Sequence, residues 1–438
     1  MIEELKRIGE QIHGHAGQRA RNLASNINKD TLFAIHTRMD GKKAVGIDRV
    51  TKEDYAENLM DNLDDLETRL RRESYKPNDS RRVYIEKPGS SKKRPLGISC
   101  YEDKLVETNV AQLLELVYEP IFKDFSYGFR PERNCHQAIM KVMGEVKSHK
   151  VNYVVEADIR SFFDTLDHDW LIKFLEHDIA DRKFIDIVRK ELKAGIMEEG
   201  KHLDKEQGTP QGGCASAILA NVYLHYVLDN WFEWEVRKGK YRGEAYLTRY
   251  ADDFVACFQH RGDAERFYGL LGERMAQFGL ALAEEKTRIL EFGRFAAENR
   301  KRRGEEKPET FNFLGFTFYC TVTRKGAFCV KVKTDRKKMN SKLKKLKAWL
   351  MDNRHRMKPH EIVAKLNKSL VGYYGYYAVS DNMPSVQKFR FETIKLLFKW
   401  LNRRSQRKSF TRKEFWEFIS RVPIVTPRLK HRLYGSAS

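Results

Sequence analysis

Leu247-Thr248-Arg249-Tyr250-Ala251-Asp252-Asp253-Phe254-Val255-Ala256 decides how this chain is read. Good strand formers lie on both sides of Tyr250-Ala251-Asp252-Asp253, which predicts two short strands, Ala245 to Tyr250 and Phe254 to Phe258, joined at the acidic pair. Adjacent aspartates inside one strand point to opposite faces. At a hairpin turn at least one projects forward, towards the end of a neighbouring strand. Asn152 to Asp158 reads as such a strand, ending in a carboxylate and followed by Phe162-Phe163. Turns favour Asp for backbone reasons alone, so the pair gains meaning only from its company. Three converging carboxylates repel one another unless cations lie between them. Hard divalent cations with oxygen ligands fit that arrangement, Mg²⁺ best, with Mn²⁺ as a substitute.

Outward from this centre the elements alternate. Residues 1–35 read as polar helix, and Lys52 to Arg72 as a helix that Thr51 and Asp54 cap. Arg81 to Gly89 and Lys92 to Ile98 read as a hairpin with a basic tip, and Asp103 to Tyr118 as helix. Phe162 to Leu175 turns helical. Gly208-Thr209-Pro210-Gln211-Gly212-Gly213 is a Gly-rich loop that leads into a long helix, about 216–236. A helix over about 263–278 precedes a strand near Thr287 to Phe292. Residues 294–310 read as a charged linker, Phe311 to Tyr319 as a strand, and the chain beyond 335 as long basic helices. The middle order, strand-helix-strand-strand-helix-strand, predicts an α+β layer on an antiparallel sheet.

The charge is lopsided. The 438 residues hold 82 Lys and Arg against 61 Asp and Glu, a net +21. Residues 331–438 hold 28 basic and 7 acidic residues, which leaves 54 of each sign before them. A balanced body followed by a cationic appendage excludes an evenly supercharged surface and points to a polyanion, most simply nucleic acid. No apolar run follows Met1 and no stretch is long enough to span a membrane, so no signal peptide and no membrane partner are expected. The six cysteines form no C-x-x-C pair and read as reduced packing residues of a cytoplasmic protein.

Within the appendage, Met339, Leu343, Leu346 and Leu350 form one apolar stripe of a helix. Lys342, Lys344, Lys345 and Lys347 fill its other faces, giving a packed side and a cationic side. A second helix carries Ile362, Leu366 and Leu370, and Tyr373 to Tyr377 read as packing aromatics. A third, about 384–404, ends in Arg403-Arg404.

Taken together these stretches resemble the bacterial group II intron-encoded reverse transcriptases and maturases. Tyr250-Ala251-Asp252-Asp253 is similar to that family's active-site hairpin. Four further blocks follow the family order: Arg94 to Ile98, Ser126 to Pro131, Asp158 to Asp164, and Gly208 to Gly213 continuing through Leu219 to Leu224. Phe313-Leu314-Gly315-Phe316 resembles the primer-grip segment, and Trp400 to Ser409 the end of a maturase thumb. The resemblance implies a right-hand polymerase: an N-terminal helical extension over 1–40, fingers over 41–150 and a palm over 151–320. The palm includes a finger-type insertion at about 171–207. An all-α thumb over 321–404 and a short basic tail over 405–438 complete the layout.

The same resemblance implies roles. Asp158, Asp252 and Asp253 would hold two Mg²⁺ ions, with the backbone carbonyl of Ile159 assisting. Two ions about 4 Å apart activate a 3′-hydroxyl and stabilise a leaving pyrophosphate. Arg81, Lys87, Arg94, Gln211 and Lys286 would bind the incoming dNTP. Phe163, five residues after Asp158, would be the steric gate against a ribose 2′-hydroxyl. Arg336, Lys337, Lys338, Lys342, Lys345, Arg403 and Arg404 would grip nucleic acid through phosphates. The implied partners are an RNA template with a DNA or RNA primer, dNTPs, group II intron RNA and a DNA target.

The chain departs from the family in places. Arg49 stands where Gly is usual in Gly46 to Thr51, and Ala217 follows Ser216 where Pro is usual. No Cys-pair and His cluster of an HNH endonuclease appears, so target-strand cleavage is not expected. Two rival readings stand beside the polymerase: an RNA-binding splicing factor with secondary polymerase activity, and a domesticated enzyme of a CRISPR or defence locus. Val322-Thr323-Arg324 lacks the Val-Thr-Gly signature of a retron enzyme.

Overall fold

The acidic tetrapeptide folds as the sequence predicts. In a computed structural model, which describes residues 19–86, 93–198, 201–203, 207–208, 212–239, 241–406 and 408–434, the chain forms two compact units. The first takes its described residues from 19–86, 93–135 and 155–289; the second takes them from 136–154 and 290–434. The strands in chain order are β1 (Ser80–Glu86), β2 (Lys93–Ile98), β3 (Tyr153–Asp158), β4 (Ile196–Glu198), β5 (Lys201–Leu203), β6 (Ala245–Tyr250), β7 (Asp253–Phe258), β8 (Arg288–Glu291), β9 (Thr310–Phe313), β10 (Phe316–Val322) and β11 (Phe328–Thr334).

One sheet runs β6-β7-β3-β8, so the hairpin lies directly beside the strand that ends in Asp158. β6 and β7 are antiparallel, with Tyr250 opposite Asp253 across the turn. Apolar residues fill both faces of β7, where Phe254, Val255, Ala256, Cys257 and Phe258 are buried. The helix Arg261–Gln277 returns the chain towards β8, burying Ala264, Phe267, Leu271 and Met275 at helical spacing.

A second sheet runs β2-β1-β4-β5. The expected hairpin is β1 with β2, and β4 adds parallel to β1 at Ser80 and Arg81. The segment after Leu175 thus contributes strands to the hairpin's sheet, after the helix Arg182–Lys193. The helix Tyr101–Tyr118 follows β2, and Leu63, Leu66 and Leu70 bury one face of the helix Leu59–Arg71.

Three expectations about helices need correction, the first because Lys52 to Arg72 breaks into Lys52–Ala56 and Leu59–Arg71. The segment 216–236 is α-helical only over Ser216–Leu224; His225–Asp229 and Phe232–Arg237 are π-helical. A residue added to a helical turn rotates the residues beyond it about the axis, and this turn places Asp229 in the core at 0% exposure. Phe162 to Leu175 also divides, into Phe162–Thr165 and His168–Asp178, with the Asp167 side chain capping the second helix.

In the second unit, β9, β10 and β11 form an antiparallel sheet. The expected single strand 311–319 is therefore a hairpin, turning at Leu314 and Gly315 with φ of 49° and 81°. The expected linker 294–310 holds a helix, Ala296–Arg302, and an ion-pair network in which Arg300 and Arg303 meet Glu291, Glu305 and Glu309. Three long helices follow, Arg336–Asn353, Pro359–Tyr377 and Met383–Leu401. The expected tail carries a fourth, Arg412–Arg421, whose Phe415 and Ile419 join Leu366, Leu397 and Trp400 in the same core. The tyrosine run packs: Tyr373 stacks on Phe389 at 3.9 Å between ring centroids, and the Tyr376 hydroxyl donates to the Leu314 carbonyl.

Candidate active site

The turn between β6 and β7 is held from three directions. Ala251 has φ of +56°, the left-handed region that a residue with a Cβ adopts at a cost. Gly128 lies against it so closely that a Cβ there would meet the Ala251 nitrogen at 2.3 Å. Only glycine fits such an approach. From the core, Arg249 donates from Nη1 to the Ala251 carbonyl at 3.1 Å and to the Asn221 Oδ1 at 3.0 Å. Its other nitrogens meet Asp229, and both residues are fully buried. Asn221 in turn donates from Nδ2 to the Gly128 carbonyl at 2.7 Å, closing the circle around the turn.

The Ser126 to Pro131 block supplies the outer wall. The Tyr127 amide donates to the Arg249 carbonyl at 2.8 Å, and the Arg249 amide to the Phe125 carbonyl at 2.8 Å. Arg130 is buried and spends its donors on Glu119, at 2.9 and 2.7 Å, and on the carbonyls of Lys123 and Ser126. Sequence reasoning assigns no role to Gly128, Asn221, Asp229 or Arg249, although three of them lie inside or beside its motifs.

Asp158 and Asp252 lie within electrostatic reach of each other. Burial pushes the Asp252 carboxyl up, and the negative charge of Asp158 pushes it further, while Arg94 and Lys286 pull it down. The Lys286 ammonium forms an ion pair with Asp158, which holds the lysine pKa up, and Asp253 adds to that effect. Asp252 therefore feels Asp158, Arg94 and Lys286, and Lys286 feels Asp158 and Asp253. Among the described residues, no three His, Cys, Asp or Glu side chains already stand as a metal-ligand set. Their chemistry is nevertheless oxygen-only, and the cation paired with Asp158 is a lysine.

Ile159 is buried, and the Asp158 carbonyl and Arg160 amide on either side of it pair with Ala283 and Ala281, each at 2.8 Å. Phe163 is half-buried, edge-on to the buried Phe162 at 5.5 Å. The Arg81 guanidinium donates to the Val45 carbonyl at 2.8 and 3.2 Å. Arg94 is exposed on β2. Lys87 and Gln211 lie outside the described residues.

The ends of the Gly-rich loop are anchored. Gly208 has φ of +80°, and a Cβ there would meet the Phe163 carbonyl at 2.6 Å. Its amide donates to the Leu166 carbonyl at 2.7 Å, and His168 Nε2 lies 2.6 Å from its carbonyl. At the other end, the Cys214 amide donates to Glu107 Oε2 at 3.0 Å, while the Ser99 hydroxyl donates to Glu107 Oε1 at 2.5 Å. One buried carboxylate thus ties the exit of the loop to the exit of β2, the strand that carries Arg94.

In the second unit, Arg336, Lys337, Lys338, Lys342 and Lys345 are borne by one helix, Arg336–Asn353, with Arg336, Lys337 and Lys338 exposed in its first turn. Arg403 lies over the Trp400 ring at 5.3 Å, and Arg404 donates to the Met357 carbonyl at 3.0 Å. Among the described residues no helix is long and apolar enough to cross a membrane.

The site thus pairs acidic strand ends with a lysine and an arginine. The sequence comparisons give the chain a family. Residues 85–318, more than half of the chain, match the model for reverse transcriptase (RNA-dependent DNA polymerase), and the chain belongs to that family. It is 44% identical over 152 residues to the group II intron-encoded protein LtrA of Lactococcus lactis subsp. cremoris, covering 35% of this chain and 25% of that protein. It is 35% identical over 215 residues to an uncharacterized 91 kDa protein in the cob intron of Schizosaccharomyces pombe, covering 49% and 26%. Protein YkfC of Escherichia coli is 33% identical over 242 residues, covering 49% and 63%. The matched stretches therefore span less than two thirds of each of these relatives.

Proposed function

We propose that the protein is an RNA-directed DNA polymerase of group II intron type, which copies an RNA template from a DNA or RNA primer and also binds intron RNA in support of splicing. The observation that carries this reading is the clamped Ala251-Asp252 turn beside the end of β3, where Asp158 and Asp252 repel each other and Lys286 compensates. In this reading residues 41–150 form the fingers, 151–320 the palm and 321–404 the thumb. The cell compartment is the bacterial cytoplasm.

Asp158, Asp252 and Asp253 would hold Mg²⁺, with the Ile159 carbonyl assisting. Two such ions, when bound, activate the primer 3′-hydroxyl and neutralise the leaving pyrophosphate. Lys286 gives up Asp158 when the site is loaded and turns to the nucleotide. Arg94 neutralises the triphosphate, with Lys87 and Gln211 beside it. Arg81 contributes by fixing β1 to Val45, which is what its two bonds to that carbonyl support. Phe163 stands at the ribose: Phe163→Ala is expected to admit ribonucleotides, and unchanged discrimination would assign that ring to the core.

The polymerase reading is tested by primer extension on an RNA template with Mg²⁺ and then with EDTA. cDNA that appears only with the metal supports it; extension in EDTA contradicts it. The splicing role is tested separately, since Asp252→Asn is expected to abolish cDNA and leave splicing support intact.

A further inference from the structure

The second unit carries a groove that shares Lys342 and Lys345 with the expected nucleic-acid grip and adds an apolar floor to them. Its volume is about 480 Å³, within the roughly 300–1,000 Å³ of sites that take nucleotide-sized ligands. The helices Arg336–Asn353 and Pro359–Tyr377 form its walls. Lys342 and Lys345 come from the first and Lys365 and Lys368 from the second, around a floor that includes Leu346 and Trp349. Among the described residues no carboxylate lines it.

This combination is selective. Lysines gathered around one concavity favour an anionic ligand through their summed field. A duplex asks only for cations on an open surface, because its phosphates face outwards and its bases are stacked away. A concave apolar floor with a half-buried indole suits a flat ring that has left its stack. The charges are lysines, which meet phosphates as point charges and read no base edge. We propose that this groove binds an unpaired nucleotide of RNA, its base on Trp349 and its flanking phosphates on the four lysines, without base preference. The proposal rests on the reading of this unit as RNA-binding.

The test uses the full chain and two labelled probes: a ten-residue oligouridylate containing 4-thiouridine, and a blunt RNA–DNA hybrid. Photocrosslinks from the oligouridylate are expected on peptides containing Trp349 or Lys365 to Lys368. Trp349→Ala is expected to weaken oligouridylate binding between about five- and a hundredfold, the range of one stacked base, and hybrid binding less than about twofold. Trp349→Phe keeps a ring and should restore most of the loss. Lys344→Glu, on the same helix outside the groove, should weaken both probes alike. Crosslinks only elsewhere, or equal losses for both probes with Trp349→Ala, or no loss for either, would overturn the assignment. Displacement of the oligouridylate from the groove by anionic phospholipid vesicles would reassign it to lipid. Failure of the wild-type chain to bind either nucleic acid would instead remove the RNA-binding reading beneath it.

Discussion

Arg249 and Asp229 form a two-point ion pair with no solvent exposure, Nε to Oδ1 at 2.7 Å and Nη2 to Oδ2 at 2.5 Å. The third nitrogen of the same guanidinium holds the Ala251 carbonyl, one residue before Asp252. A buried pair of this kind is weak evidence for stability, because desolvation offsets the attraction, but breaking one partner is costly. Its place under the acidic turn assigns it to positioning.

Asp229→Ala should therefore cost about 3–5 kcal/mol by leaving a buried guanidinium unpaired. The double change Arg249→Met, Asp229→Leu should recover most of that loss in a denaturation experiment while cDNA synthesis stays low. Recovery of both stability and synthesis by the double variant would reduce the pair to packing.

The ion pair of Lys286 with Asp158 supplies a second prediction. Lys286→Met removes the ammonium that counters Asp158, Asp252 and Asp253. In EDTA the variant should melt below the wild type, and millimolar Mg²⁺ should raise its melting temperature by more than it raises that of the wild type. Equal gains in both proteins would show that lysine and metal do not share these carboxylates.

Glu107 ties the loop exit at Cys214 to the strand exit at Ser99. Glu107→Ala is expected to raise KM for dNTP on the order of tenfold, the worth of one or two lost buried bonds, with a smaller fall in kcat. Glu107→Gln preserves an acceptor oxygen and should restore most of the affinity. A fall in kcat alone would contradict the positioning role.

The acids around Glu107 give a pH prediction. Glu191 is buried with both carboxylate oxygens unpartnered, and burial followed by the charges of Glu107 and Asp103 pushes its carboxyl up. Asp103, which accepts from Tyr75 and Asn78, is pushed up to about 6, chiefly by burial. Burial also pushes Glu107 up, against the pull of Ser99, Cys214 and Lys104. Raised carboxyls bind more protons folded than unfolded, so stability falls as pH rises from the ordinary carboxylate range through the folded values. Glu191→Gln should raise the melting temperature more at pH 8 than at pH 5. A uniform shift at both pH values would locate the effect in packing.

Local signals carried much of this site. Alternation and turn chemistry placed the β6–β7 hairpin, and an apolar run ending in Asp placed β3. The family match reaches residues 85–318. Arg49, which stands where the family usually has Gly, indeed sits at φ of +61°. The clamp was illegible because Arg249 and Asp229 are 20 residues apart, with Asp229 in a π-helical turn that local sequence signals do not announce. The bond of Arg81 to the Val45 carbonyl, 36 residues away, leaves no trace in the local sequence. The helix Arg412–Arg421 was hidden by its charge and by Pro423 and Pro427, although Phe415 and Ile419 already showed an i, i+4 apolar pair.

The most direct test of the polymerase centre is RNA-templated primer extension with dNTPs and Mg²⁺, comparing the wild-type chain with Asp252→Asn at equal concentration and equal melting temperature. The expected result is full-length cDNA from the wild type and none above background from the variant. Undiminished cDNA from Asp252→Asn, or none from the folded wild type, would contradict the assignment of the Ala251-Asp252-Asp253 turn to that role.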